Sequence, residues 1–191
     1  MIYRVAKNVG DGDFAPATTS RPPGNVPYYV DNIWEWLRPD DVASRRRAAF
    51  ASPTPELAAA GAQGDVAEAW QVELVDAQSA YQIVNGERPH DARYHADIIR
   101  LKSLIIGQLR RILWFDLPLS QREPELNLFA PCLSKSDIHE ILETSTRLDA
   151  EKIICACEFW SDVVKFDPLK GPPHPTEEIF FDGAYRLARI E

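Results

Sequence analysis

Glycine is scarce relative to proline in this chain: there are 9 glycines and 15 prolines, whereas an average protein contains more glycine than proline. Seven prolines lie within the first 55 residues, seven lie from Pro118 onward, and only Pro89 lies between these groups. Because proline breaks the interior of a helix, the middle of the chain is permissive for helices. The two ends are therefore expected to carry strands and irregular turns.

The chain also lacks an excess of positive charge, a long apolar run and a metal-type cysteine spacing. Lys and Arg number 21 against 29 Asp and Glu, a net charge of −8, which excludes a generally basic surface for nucleic acid. No segment approaches the roughly 18 apolar residues of a membrane span, and the N-terminus has no apolar core behind a basic start. We therefore expect a soluble protein without a signal peptide, in the cytoplasm of its own or a target cell.

The cysteine, histidine and glycine patterns indicate which kinds of site the chain lacks. Cys132, Cys155 and Cys157 form no C-x-x-C pair, and no histidine has a second His or Cys at ligand spacing, so we expect free thiols and no metal. The chain has no Gly-rich phosphate loop, which excludes a conventional dehydrogenase site. With 191 residues, 45% of them apolar, residues 1–191 are expected to form one domain.

Hydrophobic periodicity predicts an α+β fold. Spacings of three and four predict four helices between residues 65 and 165. They are expected over 65–84, beginning at Asp65 and ending before Asn85-Gly86, over about 92–115, after Ser134 and after Asp149. The wide apolar stripe of the second helix predicts burial around much of its circumference. Strands are expected at Ile2 to Ala6, Ala48 to Ala51, Ile179 to Phe181 and Tyr185 to Ile190. The first and last strands are expected to share one sheet, and Asp182-Gly183 predicts a tight turn.

Three short motifs contain residues suited to chemistry. Arg4 stands within the first strand, Ser52 ends the second strand in Phe50-Ala51-Ser52-Pro53-Thr54, and Glu178 directly precedes an apolar strand. An arginine fork suits a phosphate or a carboxylate, and a fixed carboxylate stabilises a developing cation. Each residue alone also has a structural interpretation: a salt bridge for Arg4, a helix cap for Ser52 or Thr54, and a solvated turn acid for Glu178.

In this order the motifs resemble those of the ADP-ribosyltransferases, specifically their arginine–serine–glutamate class, of which cholera toxin is typical. The resemblance implies a mixed, split β-sheet built from residues 1–60 and 166–191, with residues 65–165 as a helical insertion. It implies that Arg4 contacts the phosphates and ribose of NAD, that Ser52 supports the site, and that Glu178 hydrogen-bonds the nicotinamide ribose. Thr176 stands where many protein-modifying members have Glu or Gln, which leaves the acceptor open.

Further candidates for NAD binding lie in the front of the chain. Arg21 is expected to reach a phosphate, Tyr28 or Tyr29 to stack on nicotinamide, and Thr54 to assist Ser52. The alternative for the aromatic segment is structural, with Trp34 and its neighbours filling the core. The run Arg45-Arg46-Arg47 forms a local basic spot, typical of a solvated turn and, if the acceptor is nucleic acid, the expected contact region.

The resulting functional expectation is an NAD-consuming mono-ADP-ribosyltransferase that modifies a protein or a nucleic acid, as a bacterial or phage toxin or effector. NAD is then a substrate, and a cognate antitoxin or immunity protein is a possible partner. Two alternatives stay open. One is an NAD glycohydrolase that uses water as acceptor, and the other is a non-catalytic acidic protein, such as an immunity or antitoxin-like partner, that binds a basic toxin.

Overall fold

A computed structural model describes residues 1–6, 12–60, 68–75, 79–84 and 92–190. The chain divides into two compact units. Unit 1 comprises Met1–Ser20, Asp40–Asp91 and Asp162–Glu191, and unit 2 comprises Arg21–Pro39 and Ala92–Ser161. Unit 1 contains all the described strands and unit 2 most of the helices, so the α+β prediction is confirmed.

Two four-stranded antiparallel sheets form the body of unit 1. The strands are β1 (Ile2–Ala6), β2 (Gly12–Phe14), β3 (Ala49–Ala51), β4 (Glu68–Leu74), β5 (Ala80–Ile83), β6 (Val163–Phe166), β7 (Ile179–Phe181) and β8 (Tyr185–Ala188). Sheet A has the order β1-β4-β8-β2, and sheet B has the order β3-β7-β5-β6. One short helix, α2 (Pro55–Ala60), follows β3.

An apolar cluster contains residues of both sheets. Its buried members are Ile2, Trp70, Val72, Tyr185 and Leu187 from sheet A and Ala51, Ala80, Ile179 and Phe181 from sheet B. The strands from the beginning and end of the chain, β1 and β8, belong to the same sheet with β4 between them. The prediction that these strands share a sheet is therefore confirmed.

The helix predicted over 65–84 is wrong, because its described part forms β4 and β5. Residues four apart, such as Trp70 and Leu74, share a side in a helix and also in a strand. Val72 distinguishes the two: it is buried like Trp70, two residues away, and residues two apart share a face in a strand but not in a helix. Asp65, Val66, Ala77, Asn85 and Gly86, which the prediction also used, lie outside the described residues.

The Asp182-Gly183 turn separates two strands that do not pair with each other. β7 enters sheet B, whereas β8 enters sheet A, so the connection passes from one sheet to the other and does not close a hairpin. Gly183 has φ 125°, a conformation that side chains disfavour and glycine accepts.

Unit 2 is built from four helices and several 3₁₀ turns. The helices are α1 (Tyr28–Trp36), α3 (Ala96–Arg111), α4 (Lys135–Thr144) and α5 (Ala150–Ala156). The 3₁₀ turns of unit 2 are Ala92–Tyr94, Trp114–Asp116, Leu119–Gln121, Glu125–Phe129 and Phe159–Asp162. The last of these ends at the first residue of a unit 1 segment. A further 3₁₀ turn, Pro168–Lys170, belongs to unit 1. In α1 the Trp34 ring is 1% exposed and stacks on Phe159 at 4.0 Å between ring centres. The structural alternative for this aromatic segment, a core role for Trp34, is confirmed.

The capping predictions in unit 2 are also confirmed. Ser134 and Asp137 form a reciprocal capping box at the start of α4, and the Asp149 side chain accepts from the Lys152 amide at the start of α5. These interactions satisfy amides that the first turn leaves without a helical partner. The second helix, α3, is shorter than predicted. It is also less buried than predicted: Ile99 is 74% exposed, and Ile112, directly after the helix, is 44% exposed.

The helix that begins after Asp149 ends at Ala156, and β6 begins at Val163, within the range up to residue 165 where helices are predicted. The longest described helix, α3, has 16 residues. Within the described ranges, no helix is both long enough and apolar enough to traverse a bilayer.

Candidate active site

The strands that carry Arg4, Ser52 and Glu178 are neighbours in unit 1. Tyr3 and Ser52 exchange two backbone hydrogen bonds, of 2.8 Å and 2.7 Å between nitrogen and oxygen, so β1 meets the end of β3. β3 in turn pairs with β7, and Ile179 stands opposite the residue before Ser52. Strand pairing thus makes neighbours of backbone segments that are about 50 and 175 positions apart in sequence.

Ser52 and Glu178 lie on the same face of sheet B. Phe50 and Phe180 stand opposite each other in the β3–β7 pair, and side chains two positions apart in a strand share a face. Ser52 follows Phe50 by two positions, and Glu178 precedes Phe180 by two. This face is opposite to the one through which β7 contributes Ile179 to the apolar cluster.

The segment after Ser52 begins α2. The Thr54 hydroxyl accepts from the Leu57 amide at 3.3 Å, and the Thr54 carbonyl accepts from the Ala58 amide at 3.1 Å. Thr54 therefore has the capping role that the sequence assigned to Ser52 or Thr54. This places Ser52 at the junction of a strand and a helix, where its backbone is fixed on both sides.

Glu178 forms an ion pair with Arg45. A terminal guanidinium nitrogen of Arg45 lies 2.7 Å from Glu178 Oε1, and the two side chains are 8% and 12% exposed. The guanidinium carbon lies 5.2 Å from the centre of the Phe50 ring and 6.0 Å from that of Phe180. Both distances are within the range of cation–π attraction, so the pair is oriented by the aromatic side chains of β3 and β7.

The loop that leads into Glu178 is held by Gln82 of β5. The fully buried Gln82 amide donates to the carbonyls of His174 at 2.9 Å and Glu177 at 3.0 Å, and its oxygen accepts from the His174 amide at 2.9 Å. The Glu178 carbonyl also accepts from the Ile83 amide at 3.1 Å. The backbone on the N-terminal side of Glu178 is therefore tied to the central part of sheet B.

Arg4 is half-buried next to the aromatic ring of Tyr185. Its guanidinium carbon lies 5.7 Å from the ring centre, and alternation along β1 puts Arg4 on the face that carries buried Ile2. Arg4 therefore lies one residue from the β1–β3 junction but on the face of the apolar cluster, whereas Ser52 and Glu178 lie on the opposite face. Arg45 supplies a guanidinium at hydrogen-bond distance from Glu178.

Arg21, Tyr28 and Tyr29 belong to unit 2. The expectation that Tyr29 stacks on nicotinamide is wrong, because its ring is 9% exposed and lies 5.2 Å from the ring of Phe129. Burial also raises the pKa of the Tyr29 hydroxyl. Tyr28, at the start of α1, is 40% exposed, and Arg21 is exposed as well.

The basic spot at 45–47 is wrong as a description of the surface. Arg45 and Arg46 are 8% and 5% exposed, and within the run only Arg47 is exposed. Sequence reasoning missed Arg45 as a partner of Glu178 because the two are 133 positions apart. The one local signal was the position of Arg45 just before β3, since a charged residue beside a buried strand needs a partner.

The three cysteines belong to unit 2. No cluster of three His, Cys, Asp or Glu side chains suited to a metal occurs among the residues described. All three cysteines are free thiols, as predicted. Burial, together with the nearby Asp97 carboxylate, raises the pKa of the Cys157 thiol to about 12, so this thiol is protonated at neutral pH.

No protein-family model, no curated protein and no solved structure matches the chain.

Proposed function

We propose that this chain is an NAD-dependent mono-ADP-ribosyltransferase acting on a macromolecular target, with unit 1 as its catalytic part. The observation that carries the proposal is the adjacency of three strands. β1 with Arg4, the end of β3 with Ser52 and the start of β7 with Glu178 are consecutive neighbours, and Ser52 and Glu178 share a face. Two sheets with strands from both ends of the chain and a unit of helices support the α+β class that the motif resemblance implies, although β4 and β5 come from the range 65–165 that it assigned to a helical insertion.

The proposed reaction breaks the glycosidic bond between the nicotinamide and the ribose of NAD. The bonding electrons leave with nicotinamide, and the ribose carbon becomes cation-like until a nucleophile of the acceptor bonds to it and loses its proton. Glu178 stabilises this positive charge as it develops and so lowers the barrier more than it strengthens substrate binding. A fixed contact of this kind contributes about 3–4 kcal/mol.

Arg4 and Ser52 have binding and supporting roles in this proposal. Arg4 contacts the NAD phosphates, for which its planar fork is suited, and Ser52 supports Glu178 across the β3–β7 pair. Thr176 lies two positions before Glu178, where many protein-modifying members of the class carry a second acid or amide. The acceptor is therefore a protein side chain, a nucleic-acid base or water, and the enzyme acts as a toxin or effector if the acceptor is macromolecular.

The test is release of nicotinamide from NAD by the purified full chain, followed by chromatography. We expect turnover by the wild type and a loss of about 10²–10³-fold in kcat for Glu178→Gln. Glu56→Gln is the matched control, because Glu56 is an exposed acid on α2 and its loss leaves kcat unchanged. Arg4→Ala is expected to raise KM for NAD more than it lowers kcat.

Isotope-labelled NAD then identifies the acceptor class. Label that appears on protein or nucleic acid of a cell extract supports the transferase, whereas free ADP-ribose alone supports the glycohydrolase. If the wild type neither binds NAD nor releases nicotinamide, the enzymatic proposal fails. Binding of a basic protein that is indifferent to Glu178→Gln then supports the acidic interaction protein.

A further inference from the structure

We infer that Arg45 is a positioning residue for Glu178, holding the carboxylate at the place where it acts on the substrate ribose. The inference rests on the proposed function and adds to it a residue that the motif order does not contain. Arg45 belongs to unit 1 and lies in the segment that follows Pro39 and precedes β3. It contacts Glu178, which is 133 positions away in sequence.

The first support is that the pair is nearly removed from solvent. The side chains of Arg45 and Glu178 are 8% and 12% exposed, so neither charge is screened by water as a surface pair would be. A bond of 2.7 Å between them is a charge-assisted hydrogen bond, which is shorter and stronger than one between neutral groups. This bond therefore orients the Glu178 carboxylate.

The second support is that Arg45 is itself fixed. Its guanidinium carbon lies between two rings, 5.2 Å from the centre of Phe50 and 6.0 Å from that of Phe180. The Phe180 ring stacks on Tyr81 at 5.4 Å between centres, and the Tyr81 hydroxyl donates to the Asp41 carbonyl at 2.8 Å. These contacts connect three strands of sheet B to the segment that bears Arg45.

The backbone near Arg45 is also hydrogen-bonded. The amides of Arg47 and Ala48 both donate to the Ser44 carbonyl, at 3.1 Å and 2.9 Å, which closes a turn around Arg45. Gln82 holds the other side of the site by its bonds to the Glu177 carbonyl and to the backbone of His174. The Glu178 backbone and side chain are thus anchored by different elements.

The ion pair is compatible with substrate binding by Glu178. A carboxylate accepts about four hydrogen bonds through its two oxygens, so Arg45 and a ribose hydroxyl are able to share it. Lysine is a poor substitute for Arg45, because a compact ammonium lacks the planar fork and the ring stacking. Loss of the fork displaces the carboxylate, and a displacement of about 1 Å lowers a rate by about 10²-fold.

The experiment compares Arg45→Ala, Arg45→Lys and the neighbouring control Arg47→Ala in the full chain. The measurements are kcat and KM for nicotinamide release, with and without added methylguanidine. We expect kcat of Arg45→Ala to fall about 10²-fold with KM changed less than about 3-fold, and methylguanidine to restore part of it saturably. Arg45→Lys is expected to lose about 10-fold and Arg47→Ala, whose side chain is exposed, to match the wild type.

Methylguanidine separates positioning from a structural role, because it replaces the missing fork and does not repair a misfolded chain. The inference is overturned if both Arg45 variants keep wild-type kcat, or if their loss follows the folded fraction and methylguanidine has no effect. Should Arg45→Ala not fold, the kcat of folded Arg45→Lys decides: a wild-type value overturns the inference. A wild type that is active and dependent on Glu178 but indifferent to Arg45 refutes this inference alone, whereas an inactive wild type refutes the proposed function.

Discussion

The buried Asp97 carboxylate in unit 2 is expected to be a principal source of that unit's stability. Asp97 is 0% exposed, and its oxygens accept from Trp34 Nε1 at 3.0 Å and from the amides of Glu158 at 3.1 Å and Phe159 at 3.0 Å. Arg100 lies 3.2 Å from the other carboxylate oxygen. One side chain thus joins α1, the start of α3 and the turn after α5.

Replacement of Asp97 by Asn keeps the size and removes the charge. An amide oxygen in the place of Oδ2 still accepts from Trp34, Glu158 and Phe159, but as a neutral group. Hydrogen bonds to charged groups contribute about 1.5–3 kcal/mol, against about 0.5–1.5 for neutral ones, so three weakened bonds correspond to a loss of about 3 kcal/mol. Asp97→Ala leaves buried donors unsatisfied and is expected to cost about 4 kcal/mol or more.

Urea unfolding followed by tryptophan fluorescence measures this loss in unit 2. Four of the five tryptophans belong to unit 2, namely Trp34, Trp36, Trp114 and Trp160. Arg100→Ala is the control for the ion pairs that Arg100 forms with Asp97 and Glu158: its side chain is 34% exposed, and we expect a loss below about 1 kcal/mol. Asp97→Asn unfolding with the wild-type midpoint and slope would refute the reasoning.

Three further outcomes follow from the structure. Burial alone would raise the pKa of Glu125, but the hydrogen bonds that its carboxylate accepts from Ser145 and Arg147 have the larger combined effect and lower it. Glu125→Gln should therefore lower the free energy of unfolding by about 1.5–3 kcal/mol at pH 7. The difference in stability between wild type and variant should shrink as pH falls below about 4.3 and through the lowered pKa of the folded state. Urea titrations at several pH values measure this difference. At pH 8 iodoacetamide should modify exposed Cys155 long before Cys157, whose pKa is about 12, as peptide mapping would reveal; equal rates would contradict the assignment. Gly183→Ala should cost about 1–3 kcal/mol because φ is 125°, seen as a lower thermal midpoint in far-UV circular dichroism, and an unchanged midpoint would argue against strain there.

The elements that the sequence predicts well carry local signals. The capping box at Ser134 needs only residues three apart, and β7 is marked by apolar residues beside Asp182-Gly183. The region 65–84 lacked such a signal, because Trp70 and Leu74 fit a helix and a strand alike, and the tertiary pairing of β4 between β1 and β8 decided the outcome.

The residues of the candidate site also differ in whether a local sequence signal identifies them. Ser52 and Glu178 were identifiable because each stands at the end of an apolar strand, where strand pairing brings them together. Arg45 was not, because its role depends on the rings of Phe50 and Phe180 and on a carboxylate far away in sequence. Tyr29 was misassigned because an aromatic residue beside a loop has the same sequence pattern whether it packs in a core or faces a ligand.

The passage of the chain from β7 into one sheet and β8 into the other has a consequence for synthesis on the ribosome. β7 lies between β3 and β5, and β8 lies between β4 and β2, so neither sheet is continuous until residues 179–188 have left the exit tunnel. The residues of unit 2 end at Ser161 and emerge earlier, so its helices have time to pack first. If the proposed function holds, a nascent chain is therefore inactive toward NAD until β7 and β8 have joined their sheets, since Glu178 gains its neighbours in sheet B only then.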